Sequence, residues 1–323
     1  MRSIVSRREF LAGMGALAAA IPHQIRDPIP RVSNRRFHIS VINDEIGQDF
    51  DHVCEVVAME FGMEWIELRG MWNKNVVNLE ADEIVRAQRI LSKHQLKVTD
   101  IASPLFKTDW PGAPKSKFSP TGPQFGADFT FDQQGEVLDR SLALAKAFGA
   151  ERVRCFDFWR LDDPTPYRAA MNQKLQDAAE KCAKHGVILV LENEASCNTG
   201  TGAEAAKVLE GVPSASFMLN WDPGNAAERG EIPYPDGYNL LPRNRIGHCH
   251  CKDAVKKADG GYEWAAVGRG FIDWTGQFRA LVRDGYHYAV SLETHWRGAG
   301  TPEESTRQSW AGMKEALQKA GAL

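Results

Sequence analysis

No stretch of this sequence reaches the roughly 18 consecutive apolar residues that a membrane-spanning helix needs, so no membrane span is expected. A surplus of basic charge is missing too. Lys and Arg number 39 against 42 Asp and Glu, a formal net charge of −3, which leaves no basic excess to track a phosphate backbone. Nucleic acid is therefore not an expected partner. No Cys-x-x-Cys pair occurs among the six cysteines, Cys54, Cys155, Cys182, Cys197, Cys249 and Cys251. A domain with a large core of its own does not depend on disulfides, and these residues read mostly as small core side chains. Internal repeats and low-complexity segments are absent. So is the glycine-rich turn that follows the first strand of a dinucleotide-binding sheet: the turn here is Asn43-Asp44-Glu45-Ile46-Gly47, which argues against an open doubly wound fold. What remains is ordinary globular material, 43% hydrophobic and 25% charged over 323 residues, ample for one sizeable core.

The first twenty residues differ from the rest. Ser6-Arg7-Arg8-Glu9-Phe10-Leu11 leads into a small apolar run from Ala12 that ends in Ala18-Ala19-Ala20. A charged start, a short apolar stretch and small residues at the end have the layout of an export signal. The arginine pair followed by Phe-Leu resembles the twin-arginine signal, which a receptor reads and which is not an anchor. The expected organisation is thus a signal at 1–20 that engages the export machinery and directs the protein to the periplasm. A Pro- and Arg-rich linker at 21–36 and a folded domain at 37–323 follow.

From Phe37 onward short apolar runs alternate with longer stretches of helical period. Strands are expected at Phe37–Ile42, Glu64–Leu68, Lys97–Ala102, Arg152–Phe156, Val187–Leu191, Phe217–Trp221, Ile246–Cys251 and Tyr288–Leu292. Helices are expected at Asp49–Phe61, Leu79–His94, Asp132–Phe148, Tyr167–His185, Gly202–Leu209, Trp274–Asp284 and Pro302–Ala320, with at best a short one at Tyr234–Leu241. Between Pro104 and Asp128 lies a long irregular stretch with five prolines. Short, continuously apolar strands suit a parallel sheet buried on both faces. Eight of them, each followed by a helix or a helix-length loop, predict a (β/α)8 TIM barrel of the α/β class.

A barrel of this kind carries its site at the C-terminal ends of its strands. The residue after the fifth apolar run is Glu192, after the sixth Asp222, and after the eighth Glu293; within the seventh lies His250. Three carboxylates gathered at one end repel unless a cation neutralises them. Together with one imidazole they suit a single hard or borderline divalent ion, manganese first, with magnesium, cobalt or zinc as alternatives.

The segments that carry these residues resemble the sugar isomerase/epimerase superfamily of xylose isomerase-like TIM barrels, and ketose 3-epimerases within it. They are Gly186–Asn193, Asn220-Trp221-Asp222-Pro223-Gly224-Asn225, His248-Cys249-His250-Cys251-Lys252-Asp253, Val267–Trp274 and Ser291-Leu292-Glu293-Thr294-His295. The resemblance implies that Glu192, Asp222, His250 and Glu293 bind the metal. It also implies that Glu192 and Glu293 move the substrate proton. Two positions depart from the epimerase pattern: Asn225 and Glu194 stand where relatives place histidines.

Further substrate contacts are expected from Glu67 at the end of the second strand, from Asn225, from His248, which shares the inward parity of His250, from Lys252, and from Arg269 in Gly268-Arg269-Gly270. Trp72, Trp110 and Trp296 lie in loops at the same end and can stack on a sugar ring or simply pack loops. Arg154 and Asp157 can point into the mouth or pair with each other. The expected activity is a metal-dependent isomerase or epimerase that removes a proton next to a carbonyl through an enediolate. A lyase or hydrolase acting on 3-keto-glycosides is the alternative. An abasic-site endonuclease-like phosphodiesterase or an exported sugar-binding protein stands further back.

Overall fold

The computed structural model describes residues 36–258 and 260–323; the expected signal and nearly all of the expected linker lie outside the described residues. Eight strands form the barrel: β1 (His38–Val41), β2 (Trp65–Leu68), β3 (Lys97–Leu105), β4 (Arg152–Cys155), β5 (Ile188–Glu192), β6 (Phe217–Trp221), β7 (Ile246–Cys251) and β8 (Ala289–Leu292). They pair in the order β1-β8-β7-β6-β5-β4-β3-β2. A parallel bridge between Ile42 and Glu67 brings β1 back to β2. The helices between them are α1 (Phe50–Glu55), α2 (Ala81–Lys93), α3 (Gln134–Phe148), α4 (Arg168–Ala183), α5 (Gly202–Gly211), α6 (Pro223–Glu228), α7 (Trp274–Arg283) and α8 (Pro302–Ala320). This is the (β/α)8 barrel the strand rhythm predicts. No helix among the described residues is long and apolar enough to cross a membrane.

The strands obey the two-residue period of β structure. One parity carries Ile39, Val41, Leu189, Leu191, Leu219, Trp221, Cys249, Cys251, Val290 and Leu292 into the apolar core. The other parity is unusually polar and fills the barrel axis. Low in the barrel, Arg152 donates to the Gly247 carbonyl at 2.8 Å and lies 4.4 Å over the Tyr288 ring. In the middle Ser40 reaches Ser291 at 3.0 Å and Thr99 at 3.4 Å. His248 Nε2 lies 3.1 Å from Ser291 Oγ, and His250 pairs in register with Ser291. All six cysteines are free and buried.

Local chemistry sets the helix starts. Thr201 accepts from the Glu204 N–H at 3.1 Å before α5, and Thr301 from the Glu304 N–H at 3.1 Å before α8, in the manner of N-caps. Sequence reading expected at best a short helix at Tyr234–Leu241, and a short helical stretch stands there, a π-turn at Pro233–Gly237 followed by Tyr238–Leu240. The unexpected element is α6, directly after β6, capped by Asp222 with Pro223 in its first turn. β3 runs past its expected end, through Pro104 to Leu105, where the pairing with β4 shifts register and a residue without an N–H is tolerated. Two antiparallel hairpins, Gly70–Met71 with Lys74–Asn75 and Asp253–Lys256 with Tyr262–Ala265, decorate the mouth.

The Val267–Trp274 segment works as a clasp in this fold. The N–H groups of Gly268 and Gly270 donate to Asp253 Oδ2 at 2.9 and 3.0 Å. Gly268, at φ +83°, packs against the backbone of Gly312 in α8. A Cβ on Gly312 would lie 1.7 Å from the Val267 carbonyl oxygen, a backbone atom that cannot swing away. Replacing a helical glycine by alanine ordinarily stabilises by about 1 kcal/mol. Here Gly312→Ala is expected to do the opposite and destabilise by roughly 1–3 kcal/mol, the range of overpacking, as read from the midpoint of denaturant unfolding against wild type.

Candidate metal centre

β7 places His250 at the heart of the mouth, fully buried. Its Nδ1 lies 3.3 Å from Glu293 Oε2, 3.5 Å from Glu192 Oε1 and 3.6 Å from Asp222 Oδ2. It has no hydrogen-bond partner. Glu192, Asp222, His250 and Glu293 each offer one ligand atom, all within 4.8 Å of one another and all buried. Ligands about 2.0–2.2 Å from a common ion would sit at such spacings, so the cluster can bind a metal ion. The other ring nitrogen supports this. His250 Nε2 is 3.1 Å from Glu67 Oε1. Burial pulls the imidazole down, but Glu67, Glu192 and Glu293 outweigh it and hold its pKa well above the ordinary value. With an ion at Nδ1, an Nε2 proton directed at Glu67 would be the arrangement that orients a metal-ligating imidazole. Glu67 reaches inward where the β2–β3 pairing shifts register, and its second oxygen meets His248 Nε2 at 2.8 Å.

Three cations hold the carboxylates apart. Arg154 Nη1 donates to Glu192 Oε2 at 2.9 Å. Lys252 Nζ lies 2.8 Å from both Asp222 Oδ2 and Glu293 Oε2. Arg69 donates to Glu293, Glu45 and Asp44 at once, at 2.5, 2.7 and 2.9 Å. The pKa shifts follow. Burial pushes Glu293 upward, but Lys252, His295 and His250 outweigh it and hold the carboxyl well below its ordinary range. Glu192 is likewise lowered, with Arg154 and His250 overcoming burial. Burial pulls Lys252 down, yet Asp222 and Glu293 hold its ammonium well above its ordinary value. Asp222 is fixed by its backbone role: its N–H donates to Asn193 Oδ1 at 2.7 Å, and its Oδ1 accepts from the Asn225 N–H at 2.9 Å.

The other candidates fall in different places. Asn225 Nδ2 donates to Glu192 Oε1 at 3.2 Å, so it touches the cluster. Glu67 lies with both oxygens on histidines, Oε1 on His250 of the cluster and Oε2 on His248. Arg269 is left exposed in the clasp. There its backbone N–H donates to Ala266, and its side chain is not among the groups that meet the carboxylates. Arg154 does not pair with Asp157, which is held by Arg168 and Thr199 at 2.7 and 2.6 Å. Trp72 packs edge-on to Phe50 beneath Arg86, and Trp110 packs on Phe131 and Phe158.

Sequence reasoning missed Arg69, Lys107, Glu45, His295 and Trp264. Lys107 Nζ bonds Glu194 at 2.9 Å. His295 Nε2 lies 3.1 Å from Glu293 Oε1. The Trp264 ring faces Lys252 at 5.2 Å. A cavity of about 400 Å³ opens beside the cluster, lined by Arg69, Lys107, Arg154, Phe125, Trp159 and His295 among others.

Fold and site together define a barrel with a candidate metal centre at the C-terminal ends of β5 to β8. The chain belongs to the xylose isomerase-like TIM barrel family, whose model matches residues 56–316. No curated protein matches it. Among solved structures it is similar to the probable 3-DHS dehydratase AsbF of Bacillus anthracis, involved in petrobactin synthesis (21% identity, 86% of this chain and 98% of that one, TM-score 0.65). It is similar also to a D-allulose 3-epimerase from Methylomonas sp. in complex with D-allulose (15%, 88% and 98%, 0.63). A xylose isomerase-like TIM barrel protein from Mycobacterium smegmatis in complex with magnesium matches comparably (16%, 89% and 97%, 0.62).

One carboxyl in the barrel has no partner. Asp100 on β3 is fully buried, and neither oxygen finds a hydrogen bond. Burial, reinforced by the nearby Glu67, raises its pKa from 3.8 to about 8. A carboxyl raised in the folded state favours folding fully below its unfolded value and loses that contribution as pH rises towards its folded value. Asp100→Asn keeps the shape and removes the titration. Its melting temperature is expected to gain on wild type as pH is raised from 5 to 8, and a constant difference across that range would contradict the assignment.

Proposed function

We propose that the protein is a metal-dependent enzyme that isomerises or epimerises a small sugar or sugar-like polyol by removing a proton next to a carbonyl. The observation that carries this reading is His250 Nδ1, buried, unpartnered and aimed at three acids while Glu67 holds the opposite nitrogen. Glu192, Asp222, His250 and Glu293 would hold one divalent ion, manganese foremost, with magnesium, cobalt or zinc as alternatives. Solved structures of the same fold hold magnesium in one case and zinc in another, which supports a divalent ion. Bound there, such an ion would polarise a substrate carbonyl and stabilise negative charge on its oxygen.

The chain's own groups supply the proton transfers. Glu192 and Glu293 are held ionised by Arg154, Lys252 and His295, so each can accept a proton from carbon and return it. Lys252, kept fully charged between Asp222 and Glu293, can donate a hydrogen bond to a substrate oxygen. Asn225 orients Glu192 through Nδ2.

A second reading, a lyase on 3-keto-glycosides, shares the first step and differs in expelling a leaving group. The Lys252 ammonium beside the carboxylates favours it, since a leaving oxygen needs a proton donor. The likeness to a probable dehydratase and to an epimerase is compatible with both.

Gln in place of Glu keeps the size and one ligand oxygen but removes the basic carboxylate. Glu192→Gln and Glu293→Gln are each expected to retain metal and to slow turnover by about 10²–10⁴-fold, the usual contribution of general acid–base catalysis. Asp222→Asn is expected to be partly rescued by added metal. The readouts are turnover at saturating metal and exchange of the substrate proton into deuterated water, over a panel of keto-sugars and keto-glycosides. Full activity in either glutamine variant excludes that residue as a proton carrier.

A further inference from the structure

The cavity beside the carboxylate cluster has three properties that bear on what it holds. Its size is the first. About 400 Å³ lies in the range of pockets for drug-sized ligands and gives more room than one monosaccharide ring fills. None of the four potential ligands lines the cavity itself, but Arg69 and His295 in its wall touch Glu293, and Arg154 touches Glu192, so the cavity adjoins the cluster.

Charge is the second. Cations line the cavity, yet they are spent. Each Arg69 nitrogen donates to a carboxylate, Nε to Asp44, Nη1 to Glu293 and Nη2 to Glu45. Arg154 gives Nε and Nη2 to the Ser103 and Ala102 carbonyls and Nη1 to Glu192. Lys107 pairs with Glu194 and lies 4.5 Å over Phe156 and 5.4 Å over Trp159. An anionic group entering here would find its counter-charges already taken and would face Asp44, Glu45, Glu192, Glu194 and Glu293 behind them.

The third property is Phe125. It belongs to the long loop between β3 and α3 and lines the cavity, and it keeps 45% of its surface exposed. Its backbone is left-handed, φ +49°, a conformation that costs a non-glycine residue about 1–3 kcal/mol and persists where its surroundings enforce it. The surroundings are visible. Asn78 Nδ2 donates to the carbonyl of Gly126 at 2.7 Å. The Phe125 ring rests on Gly70, where a Cβ would come within 2.5 Å of it. The faces of Phe156 and Trp159 are occupied by cations, whereas Phe125 offers a free ring at the cavity wall.

We infer that this cavity is a subsite for a second, uncharged ring, so that the substrate is a neutral keto-glycoside, as in the second reading above, whose outer ring packs against Phe125. This rests on the functional reading above for the sugar at the cluster, but it is tested by binding alone. Calorimetric titrations of the manganese-loaded full chain would compare phenyl β-glucoside, glucose and phenyl β-glucuronide. Phenyl glucoside is expected to bind at least tenfold more tightly than glucose, and at least tenfold more tightly than the glucuronide. Phe125→Ala, a change on an exposed loop, is expected to remove most of the gain from the phenyl ring and leave glucose affinity unchanged. Equal affinities for phenyl glucoside and glucose, tighter binding of the glucuronide, or an unaffected Phe125→Ala variant would overturn the subsite. The outcome does not depend on proton exchange, so this proposal and the proposed reaction fail separately.

Discussion

Four carboxylates, those of Glu67, Glu192, Asp222 and Glu293, are buried around one imidazole. Like charges a few ångströms apart in a poorly solvated interior repel by several kcal/mol per pair, and burial of each ion adds a further penalty. Much of the architecture of the mouth answers that repulsion. Arg154, Arg69 and Lys252 come from the ends of β4, β2 and β7 and reach different oxygens of the set. The imidazole Nδ1 is the one group among them that faces the acids with nothing between. A cation placed there would complete the charge balance that the three side chains leave unfinished.

The same constraint explains features that look incidental. Gly224, in the first turn of α6, has no room for a Cβ because the Lys252 stem passes 2.4 Å from where it would be. The lysine can therefore cross the N-terminus of that helix to reach Asp222 and Glu293. Arg69 does more than neutralise Glu293. By holding Asp44 and Glu45 as well, it ties the loop after β1 to the ends of β2 and β8, across the place where the barrel closes through the Ile42–Glu67 bridge. Burial raises Glu45 in principle, yet His295, Arg69 and Arg297 bring it down to about 2, so this corner stays ionised. Closure of the fold and charge at the site are maintained by the same side chains.

How much of this was legible in the sequence depends on the scale of the signal. Strands buried on both faces are continuous apolar runs, and β5 and β6 stand within a residue of where that pattern put them. The four potential ligands were legible because each ends or interrupts such a run. Arg69, Lys107 and His295 were not, since a single charged residue one to three places beyond a strand end looks the same whether it points to solvent or inward. The segment around Arg269 has a structural use that the sequence did not show: its flanking glycines serve the Asp253 clasp and the close approach of α8, and the arginine itself stays exposed. The hairpin Tyr262–Ala265, which brings Trp264 to Lys252, was hidden because its strands are short and polar. α6 was hidden because Asp222-Pro223-Gly224 reads equally as a turn, while the structure uses the aspartate as a cap and the proline as the first helical residue.

The central claim is that the acids and His250 form one metal site, and titration of manganese into chelator-stripped protein tests it most directly. One ion per chain is expected, with His250→Ala losing most of the affinity, because among the described residues only His250 offers the carboxylates a nitrogen without a hydrogen-bond partner. Two or three ions per chain, or an affinity that His250→Ala leaves unchanged, would contradict the account.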